Sequence, residues 1–298
     1  MKSDYKVITL QKSKHNVITK MISNYIVITF LYLPISVYAL SFQSELIDGM
    51  LAYGTVEPGE TAFVEESYLN IGKDSKNLAP IPITKDGQFA LGIPQDATQL
   101  KLTVKQGEKT EELSFPVHQR KWDEEYVTGL PPQKVEPNQK DNARITAEAI
   151  EMRQARQVSD YSGFPKSWQN PVPAYKRISS HFGSRRILNN IKKQGHSGTD
   201  LAAPTGTPIY APVNGRIVYL NPDVFLTGQT VMIDHGFGVF SSYSHMSATH
   251  VRLNQVVKAG DLIGEVGQTG RATGPHLHWT VTWFGIRVNP EDLILPSP

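Results

Sequence analysis

Five side chains in the C-terminal third have the types and spacing to do chemistry. His276 and His278 stand two residues apart in an alternating run, with Leu277, Trp279, Val281 and Trp283 set against His278, Thr280 and Thr282. Period two is a strand signal, and residues i and i+2 of a strand share a face, so both imidazoles point the same way. A loop containing Gly264, Gly267, Gly270 and Gly274 leads into them. Upstream, Gly195-His196-Ser197-Gly198-Thr199-Asp200 offers an imidazole and a carboxylate. The glycines and the following Ala-Pro-Thr-Gly argue for a loop running into a strand there, not a helix. Between the two motifs, Tyr243-Ser244-His245-Met246 ends an apolar strand.

Imidazole and carboxylate are zinc ligands, and catalytic zinc sites keep three protein ligands plus one open position. His196, Asp200 and one of His276 and His278 would form such a set. The histidines left over could then act as base and oxyanion stabiliser. Zinc lowers the pKa of its water to about 7, so a neutral histidine suffices as base. The chain has no Cys, which excludes disulfides, thiolate ligation and a cysteine nucleophile. It also lacks a Gly-x-Ser-x-Gly nucleophile motif. His181, His235 and His250 stand outside the motifs and are read as structural, with His235 at a hairpin turn.

These groups need rigid elements to aim them, and the chain divides into segments that could supply them. Residues 1–39 hold five Lys and one acid, a short apolar stretch broken by Pro34, and Val37-Tyr38-Ala39. That composition fits a secretory signal peptide cut after Ala39, with an uncleaved membrane anchor as the rival reading. The remainder has 25 basic and 27 acidic side chains, which gives no electrostatic argument for nucleic acid. Residues 40–130 read as a small β-sandwich-like domain: runs such as Ala62 to Ile71, Gln88 to Ile93 and Gln99 to Lys105 alternate with turn clusters. Residues 131–174 read as a proline-containing linker with a helix at about 140–158. Ala143, Ala147, Ile150, Ala155 and Val158 are its apolar positions for packing on one of the domains. Residues 175–298 read as a compact domain of antiparallel hairpins, so the whole chain is mainly β.

The ordered motifs His-x-x-x-Asp, Tyr-x-His and Gly-x-x-Gly-x-Thr-Gly-x-Ala-Thr-Gly-Pro-His-Leu-His resemble the lysostaphin/LytM-type peptidoglycan zinc endopeptidases. The likeness covers about Arg177 to Leu293 and includes Phe-Gly-Ser-Arg at 182–185. The resemblance implies one zinc held by His196, Asp200 and His278, flanked by His245 and His276 as catalytic groups. It implies a groove in a folded antiparallel sheet, the peptide cross-links of bacterial peptidoglycan as substrate, and export to the periplasm or envelope of a diderm bacterium. Arg185 becomes a substrate-contact candidate, for a carboxylate. Trp279-Thr280 stands where many relatives have Phe-Glu, which alters the pocket wall and removes no ligand. The alternative function is a non-catalytic regulator that binds and activates another wall hydrolase; such relatives usually lack a ligand, and this chain lacks none.

Overall fold

The computed structural model describes residues 18–22, 25–29, 40–69, 76–128 and 135–294. The expected cleavage point after Ala39 and most of the leader lie outside them. Within the leader, Ile18–Ile22 and Tyr25–Thr29 pair antiparallel. No helix among the described residues is long and apolar enough to cross a membrane.

The N-terminal domain is built from a three-stranded and a four-stranded sheet. Leu51–Thr55 pairs with both Ser41–Phe42 and Gln88–Gly92, and Gln99–Gln106 pairs with Thr61–Glu65 and Lys109–Pro116. Phe42 sits edge-on to Phe89 and to Phe115 between them. The run expected from Ala62 to Ile71 stops as a strand at Glu65 and continues as a 3-10 turn, Glu66–Leu69. The domain is joined to the rest by contacts that leave no slack. Asn289 donates its backbone N–H to Gly49, Arg120 forms a two-bond pair with Asp292, and a Cβ on Gly92 would meet Trp283 at 2.8 Å. One apolar core runs from Phe42 and Phe89 through to Trp279 and Trp283.

The C-terminal sheet has eight antiparallel strands: β1 Arg177–Ser180, β2 Thr199–Ala202, β3 Gly215–Val224, β4 Gly228–Asp234, β5 Val239–Met246, β6 Val256–Val257, β7 His276–Trp283 and β8 Ile286–Val288. Their order is β1-β2-β7-β5-β4-β3-β6, with β8 beside the far end of β7. Alternation on β7 sends Leu277, Trp279, Val281 and Trp283 into the core, all of them fully buried. The opposite face carries His276, His278, Thr280 and Thr282.

The linker helix α1, Gln139–Gln154, is capped by the Asn138 side chain, which accepts the Asp141 N–H. It ends four residues short of the expected Val158, and its apolar contact differs too. Ile150 and Val158 are exposed, while Met152 and the following Ala155 pack on Tyr219, Val224, Met232 and Phe240. Arg144 pairs with Asp223, and Glu148 accepts the Phe225 N–H, adding polar ties to the strand β3 edge. Buried Asp234 then fixes the chain beyond the helix, accepting from Ser159 Oγ and the N–H groups of Asp160, Tyr161 and Gly236. A carboxylate holding four donors is a strong local anchor. The helix is thus set on the same sheet face as the histidines.

Candidate metal centre and groove

Strand register assembles the centre. Asp200 on β2 lies directly opposite His278 on β7, and Ser244 on β5 lies opposite the same His278 from the other side. His196 enters from the loop before β2. A Cβ on Gly198 would sit 2.2 Å from the Trp279 carbonyl, so only glycine lets that loop close against β7. His196 Nε2 is 3.0 Å from His278 Nδ1 and 3.1 Å from Asp200 Oδ1, and His278 Nδ1 is 2.7 Å from Asp200 Oδ1. All three residues are buried. At zinc–ligand bonds of about 2.0–2.1 Å, a tetrahedral edge is roughly 3.3 Å, so this donor triangle is close to the required size.

The outward nitrogens of the rings are committed elsewhere, which aims the inward ones. His196 Nδ1 lies 3.0 Å from the His181 carbonyl and 2.9 Å from Ser180 Oγ. A proton there leaves Nε2 as a lone pair facing the triangle. His278 Nε2 sits between Ser197 Oγ at 3.2 Å and Thr280 Oγ1 at 3.1 Å. Its N–H can donate to either hydroxyl while Nδ1 ligates, the usual outer support of a metal-bound imidazole. Burial alone would raise the Asp200 carboxyl, but the charge and hydrogen bond of His196, then those of His278, outweigh it and hold it well below the usual carboxylate range. Burial pushes His278 down to about 4 despite Asp200 beside it. An anionic Asp200 carboxylate and a neutral His278 imidazole are protonation states that binding of a divalent metal requires. The residues fit the metal.

His245 and His276 flank this set. Their ring centroids are 4.7 Å apart, and His276 Nε2 is 3.7 Å from Asp200 Oδ1. Each donates its Nδ1–H to a backbone carbonyl, Thr269 at 2.7 Å and Gly274 at 2.8 Å, which leaves Nε2 as the ring nitrogen available to a ligand. Burial, followed by the neighbouring His276 and His278, pushes His245 down to about 3. Its backbone is left-handed, with φ +62°. A non-glycine residue in that region costs about 1–3 kcal/mol and persists only where its surroundings impose it. The end of β5 does so: His245 donates its N–H to Thr227, and a Cβ on Gly267 would come within 2.7 Å of the His245 carbonyl.

Residues 194–290 match the family profile described as Peptidase family M23. The C-terminal domain belongs to that family. The chain is 44% identical over 126 residues to the DD-carboxypeptidase/endopeptidase Mpg of Neisseria meningitidis serogroup B, covering 42% of this chain and 28% of that protein. It is 39% identical over 126 residues to the peptidoglycan DD-endopeptidase ShyC of Vibrio cholerae serotype O1, covering 41% of this chain and 28% of that one. The match therefore spans less than a third of these relatives. A Pseudomonas aeruginosa crystal structure assigned to peptidase M23 aligns with a TM-score of 0.61 at 29% identity, covering 83% of this chain and 94% of that chain. That likeness extends well beyond the M23 domain into the N-terminal region.

The M23 domain's groove, about 930 Å³, is lined by all five residues of the centre. Arg185 does not line it. That residue is exposed at the start of the strand Arg185–Leu188, and the next residue, Arg186, faces the centre instead. Neighbouring strand residues point to opposite sides, so a one-residue offset decides which arginine enters. Arg186 bonds Asp200 Oδ2 at 2.9 Å and Glu125 Oε2 at 3.1 Å. Glu125 comes from Glu124–Val127, which leaves the N-terminal domain and runs parallel to Arg185–Leu188. Thr280, noted only as a departure on the pocket wall, proves to hold His278. No spacing rule identifies Glu125, whose role depends on a long-range parallel pairing.

The three other histidines of the C-terminal domain have structural partners. His181 pairs with Glu291 and His250 with Glu265, while His235 is buried between the Asn214 carbonyl and Ser241.

Proposed function

We propose that this chain is a zinc endopeptidase that hydrolyses peptide cross-links of bacterial peptidoglycan. The observation that carries this reading is the convergence of His196 Nε2, Asp200 Oδ1 and His278 Nδ1, with two further imidazoles beside them in one groove. The named activities of the Neisseria and Vibrio relatives supply the substrate class and the type of bond.

His196, Asp200 and His278 would hold the metal. When bound, zinc supplies a Lewis acid and lowers the pKa of its water to about 7. The protein's own groups do the rest. His245, fixed at Nδ1 by the Thr269 carbonyl, presents the lone pair of Nε2 to accept a proton. His276 presents Nε2 from the neighbouring strand position, so the pair can hold one proton and return it to the leaving amine. The small side chains Ser242, Ser244 and Thr280 leave room on the floor for an extended peptide. The basic, apolar leader supports export, and the resemblance to wall endopeptidases implies the periplasm or envelope of a diderm bacterium as its place.

The test is incubation of purified sacculi with metal-loaded protein and separation of the released muropeptides. New amine ends that vanish with chelator or with His278→Ala support the reading. Bound metal with no new ends would instead favour the regulator. Metal content separates the roles: His278→Ala should lose metal, and His245→Ala should keep it while losing turnover. Equal retention of metal in both variants would refute the assignment.

A further inference from the structure

The groove carries more positive charge than the metal centre uses. Arg186 is committed to Asp200 and Glu125. Arg153 and Arg156 line the same groove from the end of α1, and Arg287 lines it from β8. None of these three is paired with a carboxylate among the described residues. Arg153 has a local explanation, since a cation is favoured at a helix C-terminus. Arg156 lies beyond the helix, half-buried, and Arg287 stands on a strand. Burial, then the charges of Arg287 and Arg153, push the Arg156 guanidinium down to about 10. Guanidinium groups that line one groove without a counter-ion, Arg156 half-buried and Arg287 exposed, repel each other, and a bound anion removes that cost.

Register also places this charge. Arg287 lies opposite Thr282, four residues along β7 from His278. At about 3.3 Å per strand residue that is roughly 13 Å, the span of about four residues of an extended peptide. Between the two ends the floor is Thr280 and Ser242, small and hydroxylic. An anion at Arg156 and Arg287 can therefore belong to the same peptide whose bond lies at the metal centre.

We propose that Arg156 and Arg287 form a carboxylate-binding subsite, which grips a free carboxylate of the cross-linked peptide at a distance from the bond being cut. This rests on the peptidoglycan endopeptidase reading for the identity of the peptide. It also gives α1 a part in substrate choice, because one of the two arginines arrives with the helix wall.

The probe is a purified cross-linked muropeptide dimer with its carboxylates free, compared with the same dimer amidated. Affinity is measured on the full chain in chelator, where hydrolysis stops, and KM and kcat are measured on the metal-loaded protein. The free dimer should bind the parent protein about tenfold tighter than the amidated one, the scale of one charge-assisted contact. Arg156→Gln and Arg287→Gln should each erase most of that preference and raise KM with little change in kcat, and Arg287→Lys should restore part of it. Equal affinity for both dimers, or a preference that survives both Gln variants, overturns the subsite. The outcomes separate the two claims. A preference lost in the variants without any hydrolysis by the parent sinks the endopeptidase reading and keeps the subsite, whereas hydrolysis without a preference does the reverse.

Discussion

Asp200 and His278 face each other across the β2–β7 pairing, with Oδ1 and Nδ1 2.7 Å apart. The backbone register makes this contact, so two of the three ligand atoms are preset by sheet hydrogen bonds. His196, brought in by a glycine-dependent loop, completes the set.

With Nδ1 of His278 turned into the donor triangle, its Nε2–H depends on Ser197 Oγ and Thr280 Oγ1. Removing both hydroxyls by Ser197→Ala with Thr280→Val leaves that donor buried and unpaired. Metal affinity should fall by about ten- to a hundredfold, the usual range for outer support of a ligating histidine. Either single change should cost less, because the other hydroxyl remains. Competition against a chromophoric chelator gives the dissociation constants, and an unchanged constant for the double variant would refute the role.

The left-handed backbone at His245 predicts an order of stability among its own replacements. Glycine occupies φ +62° without the Cβ clash that alanine keeps. His245→Gly should therefore be more stable than His245→Ala by about 1 kcal/mol, although both lose the imidazole. Urea midpoints compared at equal m-values would show it. An alanine variant as stable as the glycine variant would mean that the loop relaxes and stores no strain.

His235 predicts acid sensitivity remote from the metal. Burial pushes it from 6.5 to about 4, partly opposed by the Asn214 carbonyl, so it stays neutral in the fold. The unfolded chain binds the proton near pH 6.5. Above that pH the stabilisation is fully present. As pH falls from 6.5 to about 4 only the unfolded state gains the proton, and about 3 kcal/mol is lost. Unfolding in chelator at pH 7, 5.5 and 4 should show a shallower decline for His235→Gln than for the parent chain. Parallel declines would exclude His235 as a source of the acid sensitivity.

Much of the centre was legible in the chain because its signals are local. Alternation over 276–283 separates a histidine face from a tryptophan face, and the structure buries Trp279 and Trp283 fully while keeping His276 and His278 on the groove side. The Gly-His-Ser-Gly-Thr-Asp segment already contains the glycine that lets its loop close. Residue types excluded thiolate chemistry outright. The helix was foreseen, and Ala155 packs as expected, but Ile150 and Val158 do not and Met152 takes their place. Periodicity within a polar segment ranked Ile150 and Val158 above Met152, whereas the Asp234 anchor and the Arg144 and Glu148 ties determine which side meets the sheet.

By itself the sequence determined the candidate donors, the strand that carries two of the histidines and the mainly β setting, because side-chain chemistry and period-two geometry operate within a few residues. Only the tertiary structure decided which nitrogen of each ring faces the centre, that Arg186 and not Arg185 reaches Asp200, and that the segment following α1 brings Arg156 to the groove that Arg287 also lines. Those choices depend on the register of strands far apart in the chain and on buried polar partners such as Thr280 and Asp234. A one-residue change of register reverses every side chain along a strand, and which distant strands pair, as β2 with β7 or Glu124–Val127 with Arg185–Leu188, lies outside any local window.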